Sequence, residues 1–187
     1  MEHRLANSLA SALIGLTLAT ISLAHAQIAQ PQVPFKVPAF AAGKTDFDVA
    51  DRLALTNLIS AYSIQVDTFN LDAWFDLFTA DAVFVAREAG RPQVELGGDK
   101  FREFTRERFT AFGKTGNDRR HLISTILFVE QTKDTAHAVM FGLLTNVKDA
   151  KTFTAVTNLN YEGWFVKTNG VWKITRWVDA PSSSPGK

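Results

Sequence analysis

The feature that most constrains the fold of this chain is a change of period near the middle of its 187 residues. Up to about Phe112 the apolar residues recur at helical spacing, and from Arg119 onward they fall in long β-rich runs separated by tight turns. Val49, Leu53, Leu55, Leu58, Ile59, Tyr62 and Val66 mark a first helix, opened by Thr45 and Asp48 in the spacing of a capping box. A bend over Asp67 to Asn70 leads into a second, short helix, with Asn70 as N-cap and Leu71, Trp74, Phe75, Leu77 and Phe78 as its buried side. Ala82 to Arg87 and Gln93 to Leu96 read as two short strands around Gly90-Arg91-Pro92, and Gly97-Gly98 ends that hairpin. A third helix runs from Asp99 to about Phe112, with Phe101, Phe104, Phe109 and Phe112 set against Lys100, Glu103, Arg106 and Glu107. Four strands follow: Arg119 to Gln131, Thr135 to Lys148, Thr152 to Lys167 and Val171 to Val178. Lys133-Asp134 and Asn169-Gly170 mark tight turns, the second a strong hairpin signal.

Three helices followed by a β-meander predict an α+β domain in which the helices cover one face of a curved, mainly antiparallel sheet. A strongly twisted sheet wrapped round helices encloses a conical hollow, and an apolar hollow with a few polar groups is a default ligand site. Fifteen Phe and four Trp suffice both to build a core and to line such a hollow. The domain is expected over 45–180, after an extended lead at 27–44 carrying Pro31, Pro34 and Pro38, and before a frayed tail at 181–187.

Residues 1–26 read as a secretory signal: Arg4 in a short start, an apolar run from Leu9 to Leu23, and the small-x-small site Ala24-His25-Ala26 before Gln27. Cleavage there predicts a periplasmic or secreted protein with no stable membrane insertion. It removes one Glu and one Arg, so the net charge of +1 is unchanged and no single-sign field remains to recruit nucleic acid. A small hydrophobic molecule is the expected partner. With no cysteine there is no disulfide and no thiolate nucleophile. The mature chain keeps only His121 and His137, without HExxH spacing or a compact carboxylate cluster, so neither a metal nor another cofactor is expected.

From about Asp46 to Asp179 the chain resembles the SnoaL-like group of the nuclear transport factor 2 superfamily. The resemblance is carried by AYSIQVDTFNLDAWFDLFTADAVF at the end of the first helix, the Gly97-Gly98 step, the RRHLIST strand opening and the YEGWFVKTNGVWKITRW hairpin. It implies a cystatin-like α+β roll. Dehydratases, isomerases, cyclases, hydrolases and proteins with no chemistry share that fold. The nearest functional analogy is to scytalone dehydratase and bile acid dehydratase, whose cavity Tyr, Asp and His correspond by motif position to Tyr62, Asp67 and His121. Arg176 matches a position that some members use for a further polar group, and Asn146 and Asn158 are additional candidates for substrate contact. The second catalytic His of scytalone dehydratase has no counterpart, and no carboxylate stands where a sheet base is required, Glu162 being the nearest. Relatives are commonly dimers or trimers. The mixed face carrying Val139, Phe141 and Thr154 would suit self-association.

An imidazole can take and return a proton near neutral pH, so His121 is the candidate base, with Asp67 fixing its tautomer. The alternative makes His121 an ordinary strand residue and Asp67 a brace for the bend. Tyr62 could donate to a carbonyl or leaving hydroxyl, or could simply fill the core. It lies about 140° from Asp67 on a regular helix, so a shared site requires the helix to end or distort between them. Arg176 alternates with Trp172 and Ile174 and is therefore expected on their side, holding an anionic substrate group or serving a structural ion pair. The combined expectation is a cofactor-independent lyase or isomerase. Its rivals are a non-catalytic ligand-binding or association domain and a hydrolase that activates water.

Overall fold

The computed structural model describes residues 39–40, 43, 47–87, 93–148 and 152–181. The predicted leader, nearly all of the 27–44 lead, the Gly90-Arg91-Pro92 turn and residues 182–187 of the tail lie outside them, as does Thr45 of the expected capping box.

Helix α1 spans Val49–Asp67 and is capped by Asp48, whose carboxylate accepts the Asp51 N–H at 2.8 Å. Leu55, Ile59, Tyr62, Ser63 and Val66 form its buried stripe. Val49 and Leu53, expected on that stripe, are 65% and 61% exposed. At 100° per residue they lie about 120° and 160° round the helix from Leu55, on the far side. Helix α2 is only Leu71–Phe75. The expected continuation through Phe78 gives way to strand β1, Phe78–Ala86, because the Leu77 carbonyl accepts the N–H of Ile174 at 2.8 Å and Phe78 pairs with Ile174. An apolar run suits either element, and sheet pairing decides.

Strand β2, Val94–Gly97, pairs with β1 and leads into helix α3, Gly98–Gly113. Gly98 has φ +54°, a conformation that favours glycine. Then come β3 (Asp118–Gln131), β4 (Thr135–Lys148), β5 (Thr152–Thr168) and β6 (Val171–Pro181). Asn169 and Gly170, both at positive φ, make the tight β5–β6 turn that Asn-Gly announces. The sheet has six strands in the order β2-β1-β6-β5-β4-β3, antiparallel except for β1 beside β6. The meander is therefore extended by the N-terminal hairpin. Register shifts within the β3–β4, β4–β5 and β5–β6 pairs mark bulges, which bend strands and increase twist.

Aromatic rings fill the space between helices and sheet. Tyr62 stacks on Trp177 with centroids 4.3 Å apart, Phe84 stacks on Phe101 at 5.0 Å, and Trp74 meets Phe78 edge-on at 4.8 Å. No helix among the described residues is long and apolar enough to cross a membrane.

Candidate active site

The helices and the inner sheet face leave a cavity of about 200 Å³. Its lining draws on α1 (Tyr62, Val66), α2 (Trp74), α3 (Phe104, Thr105, Arg108, Phe109) and five parts of the sheet region, including Arg119 and His121 on β3, Thr157 and Leu159 on β5, and Asp179 on β6. The volume lies below the ~300–1,000 Å³ of drug-sized sites, which suits a small molecule.

His121 is buried on β3, and its ring Nδ1 lies 2.5 Å from Oδ1 of Asp67. The other oxygen, Oδ2, accepts the backbone N–H of the same histidine at 2.7 Å. Both side chains are only 7% exposed. An ionised carboxylate can only accept, so Nδ1 carries the proton and Nε2 keeps the lone pair in the neutral ring. Asp67 is the last residue of α1 and is not itself a lining residue; it grips β3 from behind the ring. The helix continues unbroken through it. The 140° offset from Tyr62 is therefore a division of labour: Tyr62 faces the cavity while Asp67 holds the histidine that also faces it.

Tyr62 is buried among Trp74, Phe78, Tyr161 and Trp177. Burial pushes its hydroxyl well above the usual tyrosine range, and the negative charges of Asp179 and Asp67 add to the shift. It is thus an O–H donor at any working pH. Trp74, another lining residue, has a buried indole N–H with no partner among the described residues, and the buried Tyr161 hydroxyl likewise has none there. Among the described residues no group of three or more His, Cys, Asp or Glu side chains could hold a metal ion.

The SnoaL-like domain model matches residues 48–178, most of the chain. The chain belongs to the SnoaL-like domain family. No curated protein matches this SnoaL-like chain significantly. Among solved structures, it is 27% identical to a protein from Novosphingobium aromaticivorans proposed to be an aromatic ring hydroxylase, over 74% of this chain and 94% of that one, with TM-score 0.60. A second protein from the same organism, described as NTF2-like with a cystatin-like fold, is 19% identical over 73% and 86%, also at TM-score 0.60. A protein of unknown function from Mycobacterium tuberculosis is 20% identical over 73% and 74%, again at 0.60. The last two likenesses establish the fold alone.

The remaining candidates in this SnoaL-like domain fall elsewhere. Arg176 is turned away from the cavity: it pairs with Glu95 on β2 at 2.9 Å, its guanidinium 5.9 Å from the Trp164 ring centre. The cause is a bulge in β6, where Ile174 pairs with Phe165 but Arg176, not Thr175, pairs with Trp164. The extra residue flips the alternation, so Trp172, Ile174 and Trp177 are core residues and Arg176 lies on the outer face. The same flip brings Asp179 inward, a sheet carboxylate the sequence reading missed. Asn158 is exposed between Thr157 and Leu159, which do line the cavity. Asn146 does not reach the cavity either; its amide oxygen accepts a long 3.4 Å bond from Arg119 Nε. Glu162 is on the outer face, bonded to His137 at 2.9 Å, and that histidine stacks on Trp164.

Proposed function

We propose that this protein is a cofactor-independent lyase or isomerase, dehydratase-like in chemistry, acting on a small hydrophobic oxygenated molecule. The observation that carries the reading is the buried Asp67–His121 pair, with its imidazole on an apolar cavity beside the protonated Tyr62. His121 Nε2 takes a proton from the carbon next to a carbonyl, and the Asp67 carboxylate balances the imidazolium that forms. Tyr62 donates to the carbonyl oxygen as it gains negative charge. The enolate then expels a β-hydroxyl, which leaves as water on receiving the proton from His121, and a carbon–carbon double bond remains. Positioned proton transfer of this kind contributes ~10²–10⁴-fold, and the oxygen donor adds electrostatic stabilisation. The indole N–H of Trp74, which has no partner among the described residues, supports occupancy by an oxygen-bearing ligand, since buried donors are normally satisfied.

Asp179 supports a second reading, hydrolysis by an activated water, because it places a carboxylate on the same cavity. Small molecules that co-purify with the protein, identified by mass spectrometry and incubated with it in ¹⁸O-labelled water, separate the two. Formation of an unsaturated product without label supports the lyase; label in a cleaved product supports the hydrolase. A retained ligand that emerges unchanged, with no exchange of carbon-bound hydrogen, would leave a binding domain. We further propose export directed by residues 1–26, on the strength of the leader pattern, and a homodimer or homotrimer as the working form.

A further inference from the structure

Helix α3 is held to the rest of the domain unevenly. Its buried residues, Phe101 and Thr105, both lie in its first half, where Phe101 packs on Trp74, Phe75, Phe78 and Phe84. Beyond Thr105 no residue of the helix is fully buried, yet Arg108 and Phe109 from that stretch line the cavity. The second half of α3 is thus a wall of the site without a core of its own. Residues at positive φ bracket the helix, Gly98 at +54° and Gly116 at +67°.

What holds that half down is an aromatic contact made from a strained backbone. The Phe69 N–H donates to the Val66 carbonyl at 3.2 Å and the Asn70 N–H to that of Gln65 at 2.9 Å, which ends α1 in a Schellman motif. Phe69 fills the left-handed position of that motif, with φ +58°, where glycine is the usual residue. Such a backbone is costly for a bulky side chain and persists only where the surroundings enforce it. Here its ring stacks on Phe112, with centroids 6.2 Å and planes 14° apart, and meets Phe109 edge-on at 6.1 Å. Phe112 is also held from β3, with the Arg119 guanidinium 4.0 Å from its ring centre. Phe69 stands two residues after Asp67, and Arg119 two before His121. The segments that supply the acid/base pair are therefore the ones that clasp α3.

We propose that the second half of α3 is the lid of the cavity and that Phe69 is its latch. The helix swings about its Phe101 anchor to admit the substrate, with the glycine-containing link to β3 absorbing the change, and closes to shut water out. Opening trades the two ring contacts for relief of the left-handed backbone, so the open and closed states differ little in free energy, as a gate requires. Closing also restores the contacts that Asp67 and His121 have with α3 through their chain neighbours. The role given to the lid rests on the cavity being the substrate site of the proposed enzyme.

Thiol labelling of the full chain tests it. The sequence has no cysteine, so Thr105→Cys puts a single thiol on the cavity wall, and its reaction with methyl methanethiosulfonate, followed by mass spectrometry, reports how often the cavity opens. Phe69→Gly in that background removes the latch while accommodating the left-handed backbone, and labelling should become on the order of tenfold faster. The urea midpoint should not fall in step. Urea below the unfolding transition should barely change either rate, since a swinging helix exposes far less surface than unfolding does. Should the glycine variant fail to fold, Phe69→Asn, whose side chain also tolerates that conformation, takes its place. Equal rates with and without the Phe69 ring overturn the proposal, as does a labelling rate that rises with urea as steeply as global unfolding. Labelling needs no substrate, so either result ends the lid alone. Gated labelling in a protein that never exchanges carbon-bound hydrogen ends the enzymatic reading alone.

Discussion

Asp67→Asn is the perturbation whose consequences the geometry defines most sharply. The wild-type carboxylate accepts twice from one residue, at 2.7 Å from the His121 backbone N–H and at 2.5 Å from its Nδ1. Asparagine has the same shape but offers one acceptor and one donor side. The backbone N–H can only donate, so the amide oxygen must face it and the amide N–H must face Nδ1. Nδ1 then has to accept, and the ring proton moves to Nε2, which can no longer act as a base. Loss of a charge-assisted bond in this buried setting costs about 1–3 kcal/mol of stability. The wrong tautomer costs about 10⁴ in kcat in Ser-His-Asp enzymes, and a fall of ~10²–10⁴ is expected here. Urea denaturation measures the first effect, exchange of a carbon-bound hydrogen on a retained ligand the second, and nitrogen-15 NMR of the imidazole reports the tautomer. Turnover within a few-fold of wild type refutes the reasoning, as does lost turnover with the proton still on Nδ1.

Tyr62→Phe keeps the ring stacked on Trp177 but removes the O–H, so steady-state kinetics should show kcat lowered by ~10²–10³ with little change in fold by circular dichroism. Arg176→Gln should leave turnover unchanged and cost at most about 1 kcal/mol in a denaturation experiment, because its ion pair with Glu95 is exposed, at 35% and 48% for the two side chains. Hydrogen bonding to Lys167 and then to Trp172 holds the Asp51 carboxyl below its usual range, while Asp51 raises the Lys167 amine. The Asp51 contribution is therefore present above about pH 4 and lost as pH falls through its depressed value, whereas that of Lys167 is lost only as pH rises through its raised one. Asp51→Asn should accordingly lower the urea midpoint near pH 7, with the gap to wild type closing on acidification.

The change from helical to β period was enough to read the architecture, because the order of helical and β-rich runs fixes which layers form even where a face is mixed or a bulge shifts parity. Helix ends were less legible. Leu77 and Phe78 carry no local sign that a distant β6 backbone will claim them, and Val49 and Leu53 fit a loose apolar list while lying on the wrong side of the helix. Parity reasoning failed at one residue, Thr175. Nothing in the local sequence announces the bulge there, yet it sends Arg176 to the outer face and Asp179 into the cavity. The Asp67–His121 contact joins residues that are 54 positions apart, so no local spacing could establish it; the family resemblance pointed to both residues, and the fold supplies the contact. Arg119 was visible as a neighbour of His121 with matching parity, but its environment emerged only when α3 placed Phe112 beneath it.

The central claim is that His121 Nε2 is a working base on the cavity. Incubating the protein with a retained ligand in deuterated water, and following one carbon-bound hydrogen by NMR in the wild type and in a folded His121→Ala variant, tests it directly. Deuterium should enter in the wild type and not in the variant. Equal incorporation in both, or none in either, contradicts it.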